Sequence, residues 1–243
     1  MAEAQDVPGI LFLIPTPLGD TPLEAVLPES TRSIASGLSV FIVEHAKTAR
    51  AFLKQLPTAM PLQQLTLLEL NEHTPKQRLE ELLAPLLAGR NVGLISEAGC
   101  PAVADPGAEL VRLAHRRGIQ VRPLVGPSSI LLALMASGLV GQRFAFHGYL
   151  PAKPEDRARA LRELEKKSEK EDAAQVFIET PYRNNAMLES LLASCHGDTL
   201  LTLACDLTLD SELLRTQPIA SWRGELPDLG KRPTVFLLYR PKA

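Results

Sequence analysis

Five apolar runs, near residues 10, 40, 66, 92 and 120, alternate with stretches of helical periodicity over the first half of this 243-residue chain. Strands separated by helices are joined by right-handed crossovers and pair mainly in parallel, so this alternation commits the chain to an α/β sheet. Ile10–Ile14 (ILFLI) is apolar at every position, as in a strand buried on both faces. Ser39–Val43, Leu65–Leu70, Asn91–Ile95 and Ile119–Val125 supply the other four strands. Helices are predicted over Pro75–Leu87, Ala108–Arg117 and Ile130–Ala136, and from Thr48. Leu79, Leu82, Leu83 and Leu86 recur at helical spacing and belong to the core.

Open sheets of this kind bind ligands outside the carboxyl ends of their strands. The segments leaving those ends are Pro15–Asp20, Glu44–Lys47, Asn71–His73, Ser96–Gly107 and Gly126–Ser129. The last two are rich in glycine and proline and can bring backbone close to a ligand. Their parent strands are expected side by side. Beyond Gly141 the pattern changes. Phe144–Leu150, Val176–Ile178, Leu200–Ala204 and Val235–Tyr239 read as strands with fewer intervening helices, among them Asn184–Ala193. That spacing predicts a mixed second domain. The expected organisation is an N-terminal α/β domain over 1–122, mainly parallel with helices on both faces, and a C-terminal mixed α/β domain over 123–243. Lys153–Asp172 is charged but balanced, seven Lys or Arg against seven Asp or Glu, and reads as a solvated helix face. Its first turn, with Lys153, Arg157 and Arg159, is the better place for a phosphate contact.

A net charge of −2 and a pI near 6.2 exclude a globally basic nucleic-acid binder, so any positive footprint must be local. The three cysteines, Cys100, Cys195 and Cys205, are widely spaced and fit reduced thiols in a cytoplasmic protein. No metal-ligand spacing is present, and neither is GxGxxG or a P-loop. No apolar run approaches the ~20 residues of a membrane span. Residues 1–9 are polar and expected to be loose, without the basic-then-apolar order of a signal peptide.

The segments SEAGCPAVADPG (Ser96–Gly107) and VGPSS (Val125–Ser129) resemble the tetrapyrrole methylase superfamily of S-adenosylmethionine-dependent methyltransferases. The likeness is nearest to its branch that methylates a cytidine ribose 2′-oxygen of small-subunit ribosomal RNA. TPLGD (Thr16–Asp20), VEHAK (Val43–Lys47), GYLPAK (Gly148–Lys153), ETPYR (Glu179–Arg183) and ACDLTL (Ala204–Leu209) follow that branch's motifs in order. The resemblance implies a tetrapyrrole-methylase-like fold of two domains with the cofactor cleft between them, S-adenosyl-L-methionine as cofactor, and a homodimer. It places Leu18, Glu97, Cys100, Ser129, Ile130, Ile178, Ala204, Pro233 and Thr234 at the methyl donor. Many of the resembling RNA enzymes continue into a C-terminal helical extension after the point where this chain stops, a mark against assuming an identical substrate.

Methyl transfer from a sulfonium is an in-line displacement with a neutral leaving group, so the protein's main task is positioning. A ribose hydroxyl is a poor nucleophile and needs a general base or a charge network. Glu44, Lys47 and Glu179 are the catalytic candidates, and His45, His73 and Arg183 the candidates for substrate binding. Arg183 suits a phosphate or carboxylate. The favoured reading is a methyltransferase acting on RNA. The alternatives are a small tetrapyrrole-like acceptor and a non-catalytic paralogue that binds the donor.

Overall fold

The computed structural model describes residues 7–224 and 226–242; residues 1–6, read above as part of a loose terminus, lie outside the described residues. By its internal contacts the chain forms two compact units, Met1–Ser128 and Ser129–Ala243. A boundary at 122/123 would cut the last strand of the first sheet.

The first unit contains β1 (Leu11–Ile14), α1 (Leu23–Val26), α2 (Glu29–Ser36), β2 (Val40–Val43), α3 (Ala46–Leu53), β3 (Thr66–Glu69), α4 (Arg78–Leu87), β4 (Val92–Ile95), α5 (Ala108–Arg116) and β5 (Val121–Pro123). Its sheet runs β3-β2-β4-β1-β5, with every neighbouring pair parallel. The expectation that β4 and β5 sit side by side is therefore corrected, because β1 lies between them. Composition explains the order. β1 is almost wholly buried, whereas Arg122 and Pro123 of β5 are exposed, and proline, which cannot donate to a ladder, is tolerated on an edge strand.

Alternating strand residues face two cores. Leu11, Val40, Ile42, Val92 and Leu94 pack with the leucines of α4 and with Leu110, Leu113 and Ala114 of α5. Phe12, Ile14, Phe41, Val43 and Ile95 pack on the opposite face with Leu23, Ala35, Ala49, Phe52 and Leu53 of α1, α2 and α3. Each fully buried leucine or phenylalanine contributes about 2 kcal/mol of transfer free energy. With both faces covered, only the strand ends and their loops remain for a ligand.

The second unit comprises α6 (Ser129–Ser137), β6 (Phe144–Tyr149), α7 (Pro154–Glu171), β7 (Ala174–Ile178), α8 (Asn184–Ser194), β8 (Leu200–Cys205), β9 (Leu213–Pro218), α9 (Ile219–Trp222) and β10 (Thr234–Tyr239). Its sheet order is β6-β7-β10-β8-β9, with β6 and β7 parallel and the remaining pairs antiparallel. β9 was not foreseen in the sequence, since LLRTQP is only partly buried and lacks a clean apolar alternation. One face of the sheet carries a core built around Trp222, Phe177 and Phe236. The rings of Phe177 and Phe236 stack across β7 and β10 at 5.6 Å. α6 lies against β9 and β10. The charged run 153–172 forms α7, and Arg157, Leu161, Leu164 and Ser168 make its buried stripe.

Candidate active site

In the first unit the loops at the carboxyl ends of β4, β1 and β5 are stitched together. Thr16 and Gly99 exchange backbone hydrogen bonds, the Thr16 N–H donating to the Gly99 carbonyl at 2.9 Å and the Gly99 N–H to the Thr16 carbonyl at 3.1 Å. Gly99 sits at φ +77°, and a Cβ there would lie 3.3 Å from Leu18 Cδ2. Next to it, the Cys100 thiol, which burial holds above its ordinary pKa, donates to the Pro127 carbonyl at 3.4 Å. Thr31 Oγ1 donates to the Val125 carbonyl at 2.8 Å. Ala102 and Ala104 take left-handed conformations at φ 65° and 63°, each costing on the order of 1 kcal/mol. Strain of this kind gathers in loops whose backbone must be presented in a fixed shape. Leu18 and Cys100, two of the expected donor residues, meet here.

Towards β2 the same sheet end is acidic. His45 Nδ1 lies 3.1 Å from Glu97 Oε1, joining the β2 loop to the β4 loop. Glu44 titrates above the ordinary carboxylate range, because burial disfavours its charge and Glu97 and Glu72 repel it. Asp105, at the end of the β4 loop, is pushed up to about 6 by burial first and the Glu44 charge second. A pocket of about 420 Å³ opens between Asn71, Glu72 and Thr74 on one side and Asp105, Gly107 and Glu109 on the other. Lys47, in the first turn of α3, is exposed. His73 is exposed and lies 3.4 Å from Glu72; its backbone N–H donates to Asn71 Oδ1. The sequence reading missed Asp105. It stands inside the Ser96–Gly107 motif, but only the folded loop shows it turned against Glu44.

In the second unit Ile178, Glu179, Arg183, Ala204, Pro233 and Thr234 lie at or just beyond one end of the sheet. Ile178 and Ala204 are both partners of Val235 in the β7-β10-β8 ladder, with Thr234 and Pro233 one and two residues before it. The Asp206 N–H donates to the Pro233 carbonyl at 2.9 Å. Asp206 and Thr208, leaving β8, are left-handed at φ 51° and 74°. Glu179 is buried, and its Oε1 accepts four bonds: from the Thr180 N–H, the Thr180 hydroxyl, and Arg183 Nε and Nη2. Arg183 is held above its ordinary pKa by that hydrogen-bonded contact with Glu179. The structure thus joins Glu179 and Arg183 in one ion pair. Ser129 and Ile130 open α6. Of the suggested phosphate contacts, Arg157 is buried, bonded to Ser190 Oγ and the Ala152 carbonyl, and Arg159 pairs with Asp156. Lys153 remains exposed.

A profile of the family described as Tetrapyrrole (Corrin/Porphyrin) Methylases matches residues 28–221. This chain belongs to the tetrapyrrole methylase family. Among its relatives is a protein of Escherichia coli O157:H7 named Ribosomal RNA small subunit methyltransferase I, 30% identical over 244 residues, 99% of this chain and 81% of that one. A protein of Xylella fastidiosa with the same name is 32% identical over 232 residues, 95% and 81% of the two chains. Among solved structures, the methyltransferase CobJ superposes with a TM-score of 0.63 at 19% identity, over 96% of this chain and 94% of its own, a likeness of fold. As a tetrapyrrole methylase the chain is an S-adenosylmethionine-dependent methyltransferase. Its residues fit that donor. Gly99 leaves a cradle that a side chain would fill. In the second unit, Asn184 Oδ1 and Thr208 Oγ1 are buried without a hydrogen-bond partner among the described residues, acceptors of the kind that suit the amine and hydroxyl donors of such a ligand.

Proposed function

We propose that this methyltransferase acts on RNA, at a ribose 2′-hydroxyl of small-subunit ribosomal RNA. The observation that carries the reading is sequence similarity over nearly the whole chain to proteins named Ribosomal RNA small subunit methyltransferase I. These relatives do not favour a small tetrapyrrole-like acceptor or a non-catalytic paralogue.

S-Adenosylmethionine supplies an electrophilic methyl group and departs neutral. The protein's part is to orient the acceptor about 3 Å from the methyl carbon and to handle one proton. Leu18, Glu97 and Cys100 of the first unit, and Ser129, Ile130, Ile178, Ala204, Pro233 and Thr234 of the second, are assigned to the donor. The carboxylates around Glu97 favour a cationic ligand over a neutral one. For the proton, Glu44 has the property that suits a base: its pKa is raised by burial and by Glu97. Lys47, Glu179, His45, His73 and Arg183 are assigned to the acceptor side, with Glu179 fixing Arg183 by the bonds described above.

We assign the protein to the cytoplasm and to a homodimer. Among the described residues no helix is long and apolar enough to cross a membrane. α6 exposes Leu131 (57%) and Met135 (76%) one turn apart, apolar surface that a second copy would cover.

The test is transfer of a labelled methyl group from S-adenosylmethionine to unmodified small-subunit ribosomal RNA, followed by digestion to nucleosides. Label in a 2′-O-methylnucleoside is the expected result, and Ser129→Trp should abolish both transfer and calorimetric binding of the donor. Label confined to a base, or absent from RNA while donor binding is intact, overturns the assignment.

A further inference from the structure

We infer that Tyr182, braced by Arg183, is the stacking platform for an unpaired nucleobase of the substrate, an inference that rests on the RNA reading above. Tyr182 is 75% exposed in a chain with only three tyrosines. It occupies the middle of a single 3₁₀ turn, Pro181–Arg183, that follows β7, and the proline at the start of that turn fixes its φ. The Arg183 guanidinium carbon lies 5.4 Å from the centre of the Tyr182 ring, within cation–π range. One face of the ring is thus covered by a cation, and the exposure of the residue leaves the other face to solvent.

The brace is rigid. Arg183 Nε and Nη2 donate to Glu179 Oε1 at 3.0 and 2.7 Å, and the Glu179 side chain is 0% exposed. That same oxygen is pinned by the Thr180 N–H at 2.6 Å. Burying a carboxylate costs free energy that charge pairing and hydrogen bonds must offset, and the Arg183 guanidinium that supplies part of them, with its side chain 29% exposed, is held in one place by the contact. Here it fixes the ring and keeps a positive charge against one of its faces. Tyr149, the last residue of β6, pairs in register with Ile178, is 57% exposed and contributes to the electrostatic field at Arg183. Two of the three tyrosines therefore share one parallel strand end with the arginine; the third, Tyr239, is bonded to Asp172.

A flat aromatic face backed by a guanidinium suits a nucleobase, which stacks on tyrosine and arginine planes alike, while the cation draws the adjoining phosphate. The chain carries a net charge of −2, and the basic residues of α7 are balanced by acids or buried. Affinity for a polyanion must then come from such a local feature. A base within a duplex presents no free face, so the platform selects a single-stranded or flipped-out nucleotide.

The experiment uses a short single-stranded RNA carrying 2-aminopurine, whose fluorescence is quenched by stacking, with affinity read from anisotropy. Wild type should bind and quench. Tyr182→Ala should bind on the order of tenfold to a hundredfold more weakly and lose the quench. Tyr182→Phe should keep both, and the same RNA in a duplex should not be quenched. Circular dichroism and thermal unfolding establish that each variant is folded. Unchanged affinity and quenching in a folded Tyr182→Ala, beside a wild type that binds RNA, overturn the platform and leave the RNA reading standing. A wild type that neither binds nor methylates RNA removes both.

Discussion

Gly126→Ala should destabilise the protein by about 2 to 3 kcal/mol, the upper part of the range for overpacking a filled site, and weaken donor binding by about tenfold. A Cβ at Gly126 would stand 2.4 Å from Pro15 Cβ, 2.8 Å from Pro15 Cγ and 2.9 Å from Leu27 Cδ2. The pyrrolidine ring cannot rotate out of the way, and Pro15 is anchored by β1, which is paired on both sides. The glycine segment must therefore move. It carries the Val125 carbonyl that accepts from Thr31 and the Pro127 carbonyl that accepts from the Cys100 thiol, so the stitching of the β4 and β5 loops loosens. Gly141→Ala, where nothing lies within 4 Å of the added carbon, serves as the control. Thermal unfolding and titration with S-adenosylmethionine measure both effects. A Gly126→Ala protein that matches the control would show that the loops are not held by this contact.

Asp105→Asn should make the protein more stable above neutrality and leave it unchanged in acid. The Asp105 carboxyl has an ordinary value of 3.8 and a folded value of about 6. Between those values the unfolded chain has released its proton while the folded one retains it, so stability falls as pH rises through this window. Above about pH 6 the folded state carries the full penalty of a half-buried charge facing Glu44 and Glu97. Allowing for solvent screening, that penalty is roughly 2 kcal/mol. Asparagine carries no charge to penalise. The difference between variant and wild type in urea unfolding should grow from near zero at about pH 3 to roughly 2 kcal/mol at about pH 8. A gain that does not vary with pH would show that charge crowding is not what Asp105 experiences. Glu44, shifted in the same direction, is present in both proteins. Stability sacrificed in a strand-end loop is the usual mark of a residue kept for its chemistry.

Much of the architecture was legible in local composition. β1 to β4 and helices α4 to α7 follow from apolar runs and helical spacing, because burial on one or two faces imposes those periods on the sequence itself. α1 and α2 are short and were not anticipated; each is entered from a proline, Pro22 and Pro28, a signal at a boundary rather than a period. β9 escaped because an edge strand need bury little.

The candidate site divides in the same way. The candidate residues, and the loops that bear them, are written in Ser96–Gly107, Glu44–Lys47 and Glu179–Arg183. What the sequence by itself determined is the alternation of elements, the position of each loop at a strand's carboxyl end, and the family to which its motifs point. Only the tertiary structure decided that β1 separates β4 from β5, that Glu44 and Glu97 crowd Asp105, and that Glu179 is buried beneath Arg183. Neighbours along the chain fix local periodicity. The titration of a carboxylate, the clash of a Cβ and the brace behind an exposed ring depend instead on groups brought together from distant segments.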